Sequence, residues 1–224
     1  MKKKFVIYTA HFGRAGRYRR HEKSLPNVDM IYFTDVENVE AGCNKIIPVG
    51  KGRTVKNDIY EIRKMNLDFI KDSPIKRQRF VKICIPDEIF DNYEYSVYLD
   101  IKRPHFIDLD YTLSCLEEGT DILLARHRER DCAYKEAEFL LRKGFYDSEA
   151  IKRQVAFYRW ERFPEHAGLW RSGLIFRRHT TQLKAFSRLW WEQVERFSYR
   201  DQISLPYTIW KYDMPFSTFP RRRR

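Results

Sequence analysis

The chain has 224 residues, 43% hydrophobic and 16% aromatic, which suits one well-filled domain or one domain with an elaborated edge. Its net charge of +12 is carried mostly by dispersed arginine, which fits an anionic small molecule, an acidic polysaccharide or nucleic acid without choosing among them. No apolar run approaches the ~20 residues that span a bilayer, and Cys43, Cys84, Cys115 and Cys132 lack metal-site spacing, so reduced thiols in a cytoplasmic protein are expected.

The opening MKKKFVIYTAHFG is basic and then apolar, but short and without a small-residue cleavage site, so it reads as a strand and not a secretory leader. Lys4–Ala10 is strand one, and Gly13 and Gly16 loosen the arginine-rich loop after it, a weak phosphate-contact signal without GxGxxG spacing. Met30–Thr34 is strand two and ends at Asp35, which suits either a turn or a ribose contact. Asn44–Val49 is a short third strand. From Thr54 to Lys71, Val55, Ile59, Ile62, Met65, Leu67, Phe69 and Ile70 recur at roughly helical spacing and predict a helix stopped by Ser73-Pro74. Lys76–Phe90, broken at Pro86, reads as short turns or a docking helix and brings Lys76, Arg77, Arg79 and Lys82 forward.

The central stretch is Tyr95–His105, where an apolar, β-rich run ends at Asp100, followed by Lys102, Arg103 and His105. Ligands of open α/β sheets bind beyond the carboxyl ends of the strands, where Asp100 would stand. Such a carboxylate holds a divalent metal or a sugar hydroxyl, and the cations hold phosphate; a solvated turn explains the same residues. Next come a helix over Leu109–Glu118, a strand over Asp121–Ala125 that delivers Arg126, His127 and Arg128, and a helix over Cys132–Lys143. A helix over Glu149–Phe163, a strand over Leu174–Phe176 and an amphipathic helix over Thr180–Arg196 follow. In the last segment Ser198 is placed to cap a helix opening with Arg200, Asp201 and Gln202. Strands mixed with helices predict a single α/β domain over residues 1–220 with a mostly parallel sheet, and Arg221–Arg224 as a basic tail or junction to a further domain of a longer polypeptide.

These residues also carry a family likeness. The run His127–Leu140, then Gln154, Tyr158, Gly168–Trp170 and Arg178-His179, and above all Leu189–Tyr207, resembles a glycosyltransferase-like family. That family, formerly a domain of unknown function, occurs in plant mucilage-related proteins, bacterial polysaccharide loci and large algal viruses. VIYTAHFG, IYFTD and YSVYLDIK match the same pattern, so the likeness covers nearly the whole chain.

The resemblance implies a GT-A-like (Rossmann-like) fold that moves a sugar from a nucleotide-diphosphate donor, such as a UDP-sugar, to a glycan acceptor. It implies a nucleotide-binding half to about residue 105, with Thr9, Ala10 and Arg14 at the nucleotide and Asp35 near the base. Asp100 falls where such enzymes hold Mn²⁺ or Mg²⁺, but Lys102 replaces the second acid, leaving two options. Either Asp100 shares the metal with phosphate and water, or Lys102, Arg79 and Lys82 neutralise the diphosphate. Asp201 is the acid expected at the sugar, as base or anchor; Glu136 and His127 are further candidates for base or acceptor work, with Arg130, Arg200 and Gln202 as substrate contacts. A non-catalytic sugar-binding domain is the alternative, and a basic nucleic-acid-binding module the weaker one, because the arginines flank strand ends and not one helical face.

Overall fold

The computed structural model describes residues 2–13, 28–36, 38–41, 45–48, 55–56, 61–71, 73–100, 108–144 and 147–220. Arg14, Gly16, Cys43, Lys102, Arg103, His105 and the Arg221–Arg224 tail lie outside them. The early strands are β1 (Lys3–Ala10), β2 (Asp29–Thr34), β3 (Asn38–Ala41), β4 (Lys45–Pro48), β5 (Val55–Lys56) and β6 (Glu61–Lys64). Helices α1 (Pro74–Cys84) and α2 (Asp87–Asn92) lead into β7 (Tyr93–Leu99), and α3 (Leu109–Ser114) into β8 (Ile122–Arg126). Then come α4 (Ala133–Lys143), α5 (Ser148–Trp160), β9 (Trp170–Arg178), α6 (Thr181–Arg196), α7 (Asp201–Tyr212) and β10 (Ser217–Thr218).

Eight strands form one sheet in the order β10-β8-β9-β7-β1-β2-β6-β5, with β3 and β4 as a separate antiparallel pair. β7, β1, β2 and β6 run parallel, as do β8 and β10; β9 lies antiparallel between β8 and β7, and β5 antiparallel on β6. This is the expected single α/β domain with a mostly parallel sheet. Register explains the core: Ile7 pairs with Val97, Val97 with Phe176 and Phe176 with Leu123, all fully buried on one face. On the other face Tyr8, Tyr98, Val81, Trp190 and Leu205 bury α1, α6 and α7 against the sheet. Strands covered on both faces read as continuous apolar runs, which is why β1 and β7 stand out in the sequence.

Three local expectations need correction. The helix predicted over 54–71 is replaced by β5 and β6, where Ile62, fully buried, pairs with Tyr32 of β2. Its apolar spacing fitted a helix, but sheet pairing outweighs a weak periodic signal in so short a stretch. Ser73-Pro74, read as a stop, is a start: the Ser73 hydroxyl accepts from the Ile75 N–H at 3.1 Å and Pro74 opens α1. Ser198 does not cap α7; Arg200 holds that position without a side-chain cap, and Ser198 donates to Gln154 Oε1 at 2.6 Å.

Candidate active site

β7 ends at Leu99 and leaves Asp100 at the carboxyl edge of the sheet, its N–H bonded to the Gly173 carbonyl at 2.9 Å. α7 begins at Asp201, and α1 lies across both with Arg79 and Lys82 one helical turn apart on the same side. These elements close a cleft of about 220 Å³ lined by Arg79, Lys82, Asp100, His127, Arg171, Ser172, Gly173, Arg200, Asp201 and Gln202. Seven residues expected from the sequence thus meet here, although Lys82 and Asp201 are far apart in the chain.

Lys82 ties the two acids together. Its ammonium lies 2.5 Å from Asp201 Oδ2 and 3.8 Å from Asp100 Oδ1, and both Lys82 and Asp201 side chains are 1% exposed. Arg79 Nε approaches Asp201 Oδ1 at 3.4 Å. Burial alone would push the Asp201 carboxyl up, but Arg79, Lys82 and Arg200 overcome it and hold it well below the usual carboxylate range. Burial pulls the Lys82 ammonium down, and Asp100 and Asp201 oppose that pull. Asp201 is therefore ionised at neutral pH and a weak proton acceptor, so the arrangement favours anchoring over base work.

The remaining acid–base candidates also take different places. Glu136, with a fully buried side chain, bridges Arg130 Nε at 2.7 Å and Arg200 Nη2 at 2.9 Å. With both oxygens engaged and outside the cleft lining, it braces the arginines and is not placed as a base. Arg130 is not among the residues that line the cleft; its guanidinium lies 4.2 Å from the Phe139 ring centroid and its Nε pairs with Glu136. His127 does line the cleft, but Nδ1 accepts from the N–H groups of Glu129 (3.3 Å) and Arg130 (3.1 Å). Burial lowers its pKa, so the ring is neutral with its proton on Nε2 and offers a donor. Gln202 donates to the Trp170 carbonyl at 3.4 Å.

The nucleotide-side candidates gather at the carboxyl end of β1. Ala10 is fully buried, and Thr9, 2% exposed, has a hydroxyl without a hydrogen-bond partner among the described residues. Asp35 uses both oxygens, accepting from the Gly13 N–H at 2.7 Å and from Arg77 at 3.0 Å, and so ties the β1 loop to α1. Beside them His11, Phe12, Gly13, Pro74, Ile75 and Gln78 help line a second cavity of about 280 Å³. Gly13 is required there: its φ is +86° and a Cβ would lie 2.3 Å from Pro74 Cγ. Gln78 lines this cavity and accepts from Arg79 of the acidic cleft at 3.1 Å, so the two spaces flank one stretch of α1.

Sequence reasoning missed Arg171, Ser172 and Gly173 at the start of β9. The available signal was an Arg-Ser-Gly step between Gly168 and the strand-like Leu174–Phe176, but only the antiparallel pairing of β9 to β7 brings it beside Asp100.

As to a metal, Asp100 Oδ1 is buried and, among the described residues, has no hydrogen-bond partner, with the Lys82 ammonium 3.8 Å away; a divalent cation would satisfy it. Among the described residues no group of three His, Cys, Asp or Glu side chains converges on such an ion. The residues therefore fit an ion that takes one protein carboxylate and finds its other oxygens on substrate and water.

Comparison with known proteins follows this geometry. Residues 51–221 match the model of the TOD1/MUCI70, glycosyltransferase-like domain. The chain is 30% identical over 139 residues to the "Probable hexosyltransferase MUCI70" of Arabidopsis thaliana, covering 58% of this chain and 24% of that protein. It thus spans about a quarter of that relative's length. Its fold is similar to that of the WbbM bifunctional glycosyltransferase in its apo structure, with a TM-score of 0.53 and 8% identity over 98% of this chain and 39% of that one. With the matched model covering well over half of its length, the chain belongs to the TOD1/MUCI70 glycosyltransferase-like family and is an α/β domain of GT-A type.

Proposed function

We propose that this protein transfers a sugar from a nucleotide-diphosphate donor, with uridine as the nucleoside, to a glycan acceptor. The observation that carries this reading is the meeting of Asp100 and Asp201 in one cation-lined cleft beside a second cavity along α1. In this reading the nucleoside occupies the cavity at His11–Gly13, and the diphosphate lies against Arg79, Arg171 and Arg200. The donor sugar faces Asp201, so β1 to β7 form the nucleotide half and the elements from α3 onward the acceptor half.

Each residue then has a defined task. Guanidinium groups held in place before substrate arrives stabilise the charge that develops on the departing diphosphate. Asp201, kept anionic by its neighbours, accepts from donor-sugar hydroxyls and opposes the positive charge that builds at the anomeric carbon. Lys82 neutralises the acid pair from behind, so that two carboxylates do not repel the incoming anion. The His127 Nε2–H is a donor for substrate oxygen. Mn²⁺ or Mg²⁺ bound to Asp100 would supply further charge neutralisation at the leaving group.

The close pairing of Asp201 with Lys82 favours a second reading, sugar-nucleotide binding without turnover. Titration of uridine diphosphate with and without Mn²⁺ tests the first step: saturable, metal-enhanced binding supports the donor site. Metal-independent polynucleotide binding with a steep salt slope contradicts it. Hydrolysis of UDP-sugars by the wild type, lost in Asp201→Asn, separates the enzyme from the binding domain. Among the described residues no helix is long and apolar enough to cross a membrane. The free thiols of Cys84, Cys115 and Cys132 support the proposal of a cytoplasmic location.

A further inference from the structure

Arg177 lies in β9, beneath the cleft and outside it, with 1% of its surface exposed. No carboxylate among the described residues pairs with it, so a full charge is buried without the partner that normally justifies burial. Its guanidinium instead donates to the Lys82 carbonyl at 2.8 Å, to the Ile83 carbonyl at 3.4 Å and to the Tyr8 hydroxyl. Tyr8 in turn donates to the Val81 carbonyl at 3.4 Å.

Those carbonyls belong to the last turn of α1, where a helix has no partners of its own for its final C=O groups. Two side chains from the sheet therefore satisfy three of them, and the cation sits at the negative end of the helix dipole. The next residue, Ile85, has φ +43°, a costly conformation for a β-branched residue. The helix end is thus fixed from beneath and stopped abruptly. The residue whose carbonyl Arg177 grips most closely is Lys82, and the ammonium of Lys82 stands between Asp100 and Asp201.

We propose that Arg177 is a positioning residue for the candidate active site: by gripping the backbone of Lys82 from inside the sheet, it sets how far that ammonium reaches between the two carboxylates. The inference rests on the donor reading above. If the last turn of α1 drifts, Asp100 and Asp201 lose their shared counter-charge and face the diphosphate as uncompensated anions. The structure assigns this task to an arginine because its planar fork works in two directions at once: Nη1 meets the Lys82 and Ile83 carbonyls while Nη2 meets the Tyr8 hydroxyl, a fixed spacing that the compact ammonium of a lysine does not reproduce.

The test compares Arg177→Lys and Tyr8→Phe with Tyr134→Phe, a control whose hydroxyl donates to the Phe163 carbonyl in the α4–α5 layer away from the cleft. Uridine diphosphate affinity and amide hydrogen exchange of residues 81–85 are measured well below each melting temperature. In Arg177→Lys, exchange at the α1 end is expected to rise and affinity to fall roughly tenfold, the scale of one charge-assisted hydrogen bond. Tyr8→Phe should move both in the same direction by less, and it carries the test if Arg177→Lys does not fold. Tyr134→Phe should move neither. Faster exchange with unchanged affinity would reduce Arg177 to a structural cap and overturn the proposal, as would no change in either quantity. A wild-type chain that fails to bind uridine diphosphate would refute the donor reading, and with it the link from Arg177 to the cleft.

Discussion

Replacing Asp201 by Asn keeps the shape of the side chain and removes its charge. In the native protein that charge lies 2.5 Å from Lys82 and 3.4 Å from Arg79, at a position 1% exposed. The amide leaves a buried ammonium whose one remaining carboxylate among the described residues is Asp100 at 3.8 Å. Breaking one side of a buried pair costs about 3–5 kcal/mol, against about 0–1 kcal/mol for a surface pair such as Lys135–Glu138, whose side chains are both 53% exposed. Asp201→Asn should therefore lose several kcal/mol in urea unfolding, and Glu138→Gln almost nothing. The double variant Lys82→Met/Asp201→Asn should recover part of the loss, because the buried ammonium without its acid is gone while Arg79 and Asp100 still each lose a partner. The pH dependence has a fixed sign. The folded-state carboxyl is held below its unfolded value near 3.9, so its contribution is complete above that pH and is lost as pH falls below it. Asp201→Asn should lack that part of the acid-induced loss. A decrease of less than about 1 kcal/mol in the single variant would refute the argument, because it would place the pair in water.

Three further outcomes follow from the same geometry. His179 stacks on Phe90, and its nitrogens contact the Tyr93 carbonyl and the Ser96 hydroxyl; burial lowers its pKa to about 4. The unfolded state takes up a proton near pH 6.5 and the folded state does not, so stability should decline from about pH 6.5 to 4, and His179→Gln should flatten that limb of a melting-temperature profile. Glu136→Gln leaves Arg130 and Arg200 without their shared carboxylate and should cost about 2 kcal/mol or more in urea unfolding, with weaker uridine diphosphate binding as Arg200 loosens. Gly13→Ala should cost about 1–3 kcal/mol, since it combines an unfavourable φ with a clash against Pro74, and calorimetry would show it directly.

What the sequence reveals depends on the range of the interactions involved. The apolar run of β7 ending at Asp100 and the acid opening α7 are local patterns, readable because strand burial and helix starts are local effects. That Lys82 stands between those acids is not local: it requires α1 to cross the sheet edge and α7 to return beside it. Asp201 was legible as an acid at a helix start, but its burial against Lys82, which turns a base candidate into an anchor, was not. Ser73-Pro74 carries both a stop and a start signal, and only the direction of α1 decides between them. Residues 61–64 show the opposite failure, a helical spacing overruled by pairing to β2. Arg171 and Arg177 were invisible as site residues, because their role comes from the antiparallel placement of β9 and from no pattern in their own neighbourhood.

A crystal structure of the protein with uridine diphosphate and Mn²⁺ tests the central claim most directly. The account predicts the uracil and ribose in the cavity at His11–Gly13 and Pro74, with the diphosphate against Arg79 and Arg171 beside Asp100. It would be contradicted by the nucleotide lying elsewhere with both of those spaces empty, for instance in the wider groove of about 470 Å³ between Met65, Phe80 and Trp191.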